Sequence, residues 1–276
     1  MKFLELLERI FLPKLCALCD EAISYDRYPP VCDECLPLWK EFMGIKCRSC
    51  GKLPRYCTCL PDLVRKANRS TVAWCVFYDN ELSKEVRQMF FRLKHKYDKD
   101  LIDMCTTMMK KRVISLCYSR KINYKDFVVS YTPRRKDGIR DNGFDQSQKL
   151  AISLAKKLGI PIIRCFNNVG KAEQKGLNKS ERVENALKSY EYIENSIGNY
   201  QNVFLVDDIL TTGSTFFACS YLLYKNGVKN VIPVVFARDN YNSKSKINGG
   251  NKNAKGNTKY YITRAIKGAF RNGTQR

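Results

Sequence analysis

Apolar runs bounded by glycine, proline or charge alternate along this chain with stretches of helical spacing. Thr71 to Tyr78 reads as a strand entering a main domain, and residues 81–118 as helix-rich. Phe127 to Tyr131 is the next predicted strand. Gly143 to Gln146 opens a helix predicted to carry Leu150, Ile152, Leu154, Ala155 and Leu158 on its apolar face, stopped by Gly159 and Pro161. Ile160 to Ile163 reads as a further strand. Residues 166–190 hold no obvious strand, which fits either a plain connector or a loop that closes over a ligand. Val203 to Val206 is a short, fully apolar strand of the kind buried inside a parallel sheet. After it, Phe216, Phe217, Leu222 and Leu223 recur at helical spacing until Gly227, and 231–236 is the last strand. Alternating strands and helices predict an α/β fold with a largely parallel sheet and flanking helices.

Both ends differ from this body. Phe3, Leu4, Leu6, Leu7, Ile10, Phe11 and Leu12 make the start apolar, but Glu5, Glu8 and Arg9 interrupt it. That reads as a docking helix and not as an export signal, so the cytoplasm is the expected location. No apolar run approaches the ~18 residues that span a bilayer. Residues 241–276 are rich in Asn, Gly, Lys and Ser, with 9 basic and no acidic side chains, and read as a flexible basic tail. The whole chain of 276 residues carries a formal charge of +22, of which the tail is the largest single source. Such a balance favours polyanions, nucleic acid first and an anionic membrane surface second, against a bland reading of lysine-rich solubility. The expected division is 1–66 as an N-terminal helix and metal module, 67–240 as the main domain and 241–276 as the tail.

Eight of the thirteen cysteines crowd into residues 16–59, as Cys16/Cys19, Cys32/Cys35, Cys47/Cys50 and Cys57/Cys59. Knuckle-spaced pairs in a chain without an export signal predict structural Zn2+ rather than disulfides. Cys16, Cys19, Cys32 and Cys35 make one site; Cys47, Cys50, Cys57 and Cys59 make a second, so one or two ions are expected. Interleaved pairing stays open. Cys75, Cys105, Cys117, Cys165 and Cys219 are scattered and read as small core residues. His95, the single histidine, sits in a basic run and is expected to face solvent or an anion.

Two acids, Asp207 and Asp208, follow the 203–206 strand directly, and Thr211, Thr212, Gly213, Ser214 and Thr215 lead into the next helix. Ligands of open α/β sheets bind at that end of a strand. Backbone N–H groups and hydroxyls at a helix start suit a phosphate monoester, which adjacent carboxylates alone would repel. Accepting hydrogen bonds from a sugar diol gives those acids a task. The ligand implied is a ribose 5-phosphate unit, with Mg2+ if a diphosphate is attached. An ordinary strand-to-helix turn capped by Thr or Ser would explain the hydroxyls and Gly213, but not the acid pair. Arg134, Arg135 and Lys136 follow Thr132-Pro133 as donors for a diphosphate, or as a solvated charge run. Arg140, Lys175 and Arg182 are further candidates for diphosphate or loop contacts.

The 203–215 stretch resembles the binding motif for phosphoribosyl diphosphate (PRPP) in type I phosphoribosyltransferases. With the cysteine module beside it, the chain resembles the ComF family over roughly residues 10–239. Further blocks support this: Tyr78 with Lys94 to Tyr97; Pro133 to Arg140 with Gly143, Phe144 and Gln146; Gln174, Leu177, Glu181, Arg182 and Asn185; and Val234 to Arg238. Thr132, Arg135, Asn142 and Asp145 depart from the family pattern. The resemblance implies a type I phosphoribosyltransferase-like sheet preceded by a small double zinc ribbon. It implies that Asp207 and Asp208 hold the ribose diol, and that Thr211 to Thr215 cradle the 5′-phosphate. It also implies handling of single-stranded DNA during competence, with the DNA-uptake machinery at the inner membrane as a partner. Two alternatives remain beside it: a phosphoribosyltransferase of nucleotide metabolism without a DNA role, and a regulator that senses PRPP or nucleotides without chemistry.

Overall fold

The computed structural model describes residues 13–67, 71–79, 81–170 and 179–240. The docking helix expected in residues 1–12, the loop residues Gln174, Lys175 and Leu177, and the tail 241–276 lie outside the described residues. The N-terminal segment contains β1 (Lys14–Leu15), β2 (Ala22–Ile23), α1 (Leu36–Gly44) and α2 (Asp62–Ala67). Then follow β3 (Ala73–Tyr78), α3 (Lys84–His95), α4 (Lys99–Ser119), β4 (Val128–Tyr131), α5 (Lys136–Asn142) and α6 (Gln146–Leu158). The chain continues with β5 (Phe166–Asn168), α7 (Lys179–Ser189), β6 (Tyr190–Tyr192), β7 (Asn202–Leu210), α8 (Ser214–Lys225) and β8 (Asn230–Asp239).

Four strands lie side by side in the order β3-β8-β7-β4, all parallel. β7 and β8 are the inner pair, and their near-continuous apolar sequences follow from burial on both faces. Successive side chains alternate: Phe204 and Val206 enter one core, Val203 and Leu205 the other. The first core is closed by α3, α4 and α6, through residues such as Met89, Met109, Val113 and Leu154. Each such side chain fully buried contributes roughly 1.5–3 kcal/mol by the transfer rule. The second core is closed by α8, through Phe216, Cys219 and Leu223. The cysteine segments straddle the sheet. Cys16 and Cys35 pack into the first core, Cys47 and Cys57 into the second.

Helix starts follow ordinary capping chemistry. Ser83, Asp98 and Asp145 accept from the backbone N–H of Val86, Leu101 and Gln148 respectively, at 3.3, 2.9 and 3.1 Å. At the end of the described chain, Asn240 accepts from the Arg48 N–H (3.0 Å) and donates to the Lys46 carbonyl (3.1 Å). It also donates to Asp79 (3.1 Å), which is paired with Arg48 (2.8 Å). This clasp joins the cysteine segment to the ends of β3 and β8.

Three sequence expectations need correction. Ile160 to Ile163 does not form a strand; it touches the sheet edge through one bridge, Val129 with Ile162. Ile152 is 46% exposed and stands off the buried stripe of α6. Residues 166–190 begin with a short strand, β5, paired antiparallel with β6, which starts at Tyr190. The strand expected at 203–206 runs on through the acid pair to Leu210.

Candidate functional site

Beyond the carboxyl ends of β4 and β7 opens a cavity of ≈ 630 Å³, lined by Thr132, Arg134, Arg135, Ser147, Asp207 and Thr215 among others. β7 supplies Asp207. Its Oδ1 accepts from the Ser147 hydroxyl (2.7 Å) at the start of α6 and from the Asp208 N–H (2.9 Å). Burial, with the neighbouring Asp208 carboxylate, pushes the Asp207 carboxyl up to about 7. Asp208 is not part of the cavity lining. It is 7% exposed, accepts from the Ile209 N–H (2.6 Å) and meets Gln146 Nε2 at 3.4 Å. Of the two predicted diol ligands, Asp207 lines the cavity.

The loop after β7 turns at Gly213, which caps α8 with φ of +81°. A Cβ there would stand 2.3 Å from Val64 Cγ2, so glycine is required by backbone and neighbour alike. Thr212 and Ser214 share a hydroxyl contact of 3.0 Å, and Thr215 reaches the cavity wall. The Tyr190 phenol, at the start of β6, hydrogen-bonds Thr215; burial raises it above its ordinary value. Thr211 is exposed, and Thr211 to Ser214 do not line the cavity as it stands.

The basic candidates separate. Arg134 lines the cavity, but its guanidinium donates to the Lys94 carbonyl (2.7 Å) and Gln146 Oε1 (2.9 Å). Arg135 also lines it. Its Nη2 stands 3.3 Å from Asp137, while its buried Nη1 has no hydrogen-bond partner among the described residues. Lys136 and Arg140 are exposed and not part of the lining. Arg182 falls on α7, and Lys175 lies outside the described residues.

The cysteines sort into two sets in sequence order, Cys16, Cys19, Cys32, Cys35 and Cys47, Cys50, Cys57, Cys59, each with its sulfurs within 4.8 Å of one another. Interleaved pairing is thereby excluded. Four thiols at this spacing fit a tetrahedral ion at Zn–S of about 2.3 Å, and none is in a disulfide. Both sets could hold zinc. A buried arginine braces each: Arg92 donates to the Ala17 carbonyl (2.7 Å) and pairs with Asp20. Arg238 stacks on Phe77 at 4.9 Å and donates to Cys47 Sγ at 3.5 Å. Cys105, Cys117, Cys165 and Cys219 are buried, as expected of small core residues.

No protein-family model matches the chain. It is 28% identical over 239 residues to "Competence protein ComFC" of Bacillus subtilis, covering 79% of this chain and 92% of that protein. A ComFC of Streptococcus pneumoniae is 23% identical over 79% of this chain and 84% of its own. "Competence protein F" of Haemophilus influenzae is 34% identical over 32% of this chain and 40% of its own. These matches support the ComF family.

Two departures from the ComF pattern find structural work here. Asn142 Oδ1 accepts from His95 Nδ1 (2.7 Å) while its amide donates to the Gly138 carbonyl (2.7 Å), which fixes a proton on that ring nitrogen. His95 therefore has a partner that the sequence did not reveal. Asp145 caps α6 and accepts from the Arg134 N–H (2.8 Å); burial raises its carboxyl above the usual range. Sequence reasoning also missed Ser147, Asn168, Ser189 and Tyr190 in the cavity wall. Single hydroxyls and amides carry no spacing signal. Among the described residues no helix is long and apolar enough to cross a membrane.

Proposed function

We propose that the cavity binds PRPP or another ribose 5-phosphate group, and that the chain acts in competence by handling single-stranded DNA. The observation that carries the first part is a conjunction: Asp207 and Thr215 line one cavity, an acceptor for sugar hydroxyls beside the start of α8. The ribose diol would donate to Asp207, and the 5′-phosphate would settle against the Thr211 to Thr215 turn, where helix N–H groups point outward. Arg135 Nη1 is a buried donor lacking a partner among the described residues, which suits a diphosphate oxygen. Mg2+ bound to such a ligand would neutralise part of its charge. If the site is catalytic, a nucleophile attacks the anomeric carbon, the C1–O bond breaks, and pyrophosphate leaves with the bonding pair. The competence role rests on the relatives named above and on the chain's positive charge. Both cysteine sets are read as structural zinc, since four thiolates leave no open position for chemistry.

The test is calorimetric titration of PRPP with Mg2+ into the zinc-replete chain and into Asp207→Asn. Binding by wild type that the variant weakens by an order of magnitude supports the reading. Equal binding by both, or none by folded wild type, sinks it.

A further inference from the structure

We propose that the exposed face of α3 is a docking surface for single-stranded nucleic acid that leads into the cavity. This rests on the single-strand role just proposed and gives it a location. α3 has two stripes. Val86, Met89, Phe90 and Leu93 are buried, and the core is complete without any other residue of the helix except Arg92. The opposite stripe, Lys84, Arg87, Gln88, Phe91 and His95, recurs at three, four, seven and eleven residues and so shares one face.

Packing does not account for Phe91. It is 62% exposed, in the middle of a cationic stripe, with the His95 ring tilted 31° at 4.5 Å. The stripe lines a groove of ≈ 540 Å³ that Tyr78 and Ile209 close from the ends of β3 and β7. Lys84, Arg87 and Lys94 line that groove, no acidic residue does, and none of the three is in an ion pair among the described residues. Its charge is thus complementary to a polyanion, and its aromatic rings are complementary to flat, unpaired bases. A duplex hides its base faces, and an acidic peptide would leave Phe91 without a partner; a single strand uses both features. The groove also has a direction. His95 lines groove and cavity alike, and Ile209 follows the acid pair on β7. A strand lying along α3 would reach the mouth of the ribose phosphate site.

The experiment is a fluorescence anisotropy titration of the full, zinc-replete chain with labelled oligothymidine, at low and at physiological salt. Phe91→Ala should weaken binding about 5- to 100-fold at either salt, the loss expected of one stacked base. Lys84→Ala/Arg87→Ala should flatten the log–log salt slope by about 1.4, at ~0.7 per phosphate contact. Lys225→Ala/Lys229→Ala, at the other end of the sheet, should bind like wild type. Wild-type binding untouched by both α3 variants overturns the docking surface and leaves the single-strand role standing. Absence of wild-type binding overturns both. Competition by polyglutamate as effective as by oligothymidine, with Phe91→Ala neutral, overturns it in favour of an acidic protein partner.

Discussion

Gly213→Ala tests whether the turn after β7 is set by its neighbour or by its own backbone. The residue sits at φ of +81°, where any side chain costs about 1–2 kcal/mol. The new Cβ would lie 2.3 Å from Val64 Cγ2 and 3.6 Å from Leu210 Cδ1. Val64 is fully buried on α2 and cannot swing aside, so overpacking adds about 1–3 kcal/mol. Reduced freedom of the unfolded chain returns about 0.4–1 kcal/mol. The net loss is about 3 kcal/mol, or roughly 6–12 °C in melting temperature for a domain of this size. Gly227→Ala is the control. Its φ is +90° with nothing within 4 Å of the added Cβ, so it bears the backbone strain alone, about 1 kcal/mol. Thermal and urea unfolding of both variants, with Val64→Ala alone and combined with Gly213→Ala, completes a double-mutant cycle. Equal losses from the two glycine variants, or a coupling energy of zero with Val64, would refute the reasoning.

Metal analysis of the purified chain should find two zinc ions, with Cys16→Ser and Cys50→Ser each losing one; a single ion in wild type would remove the second site. Arg238 is 1% exposed and donates to Cys47 Sγ, so Arg238→Met should destabilise by about 1.5–3 kcal/mol and release metal to a chelator faster from the Cys47 set than from the Cys16 set. Equal release rates would mean that its hydrogen bond to Cys47 does not support the metal. Asp207 holds its proton more tightly folded than unfolded, so stability falls as pH rises from the ordinary aspartate value toward about 7. Asp207→Asn does not ionise and should therefore melt higher than wild type near pH ~8, with the gain fading by about pH 4. A gain independent of pH would show that another group titrates.

The inner strands were legible because they are buried on two sides: Val203 to Val206 needs no alternation to announce itself. The edge was not. Ile160 to Ile163 has the composition of a strand, but Pro161 lacks a donor, and the segment meets Val129 through one bridge. Ile152 lies 200° around α6 from Leu150, so a stricter use of helical period would have put it in solvent. β5 and β6 are three residues each, too short for period to register. The acid pair and hydroxyl turn stand out because their chemistry is concentrated in one stretch. Ser147, Tyr190 and the His95–Asn142 contact come from separate segments, and only the fold brings them together. Phe91 was hidden in another way. On a helix it looks like core, and its exposure becomes evident only when the opposite stripe is seen to be full.

The Asn240 clasp puts the chain under an order of events. Lys46 and Arg48 leave the ribosome 192–194 residues before their partner. At about 5–20 residues per second, synthesis separates them by roughly 10–40 s. The cysteine segment is complete throughout that interval, but it lacks one inner strand of the main sheet until β8 has been made. β8 also carries Arg238, the donor to Cys47, so that strand delivers the brace and the clasp together. Synthesis halted before Asn240 would leave the cysteine segment tethered to an unfinished sheet, the species on which a nascent-chain chaperone or protease would act.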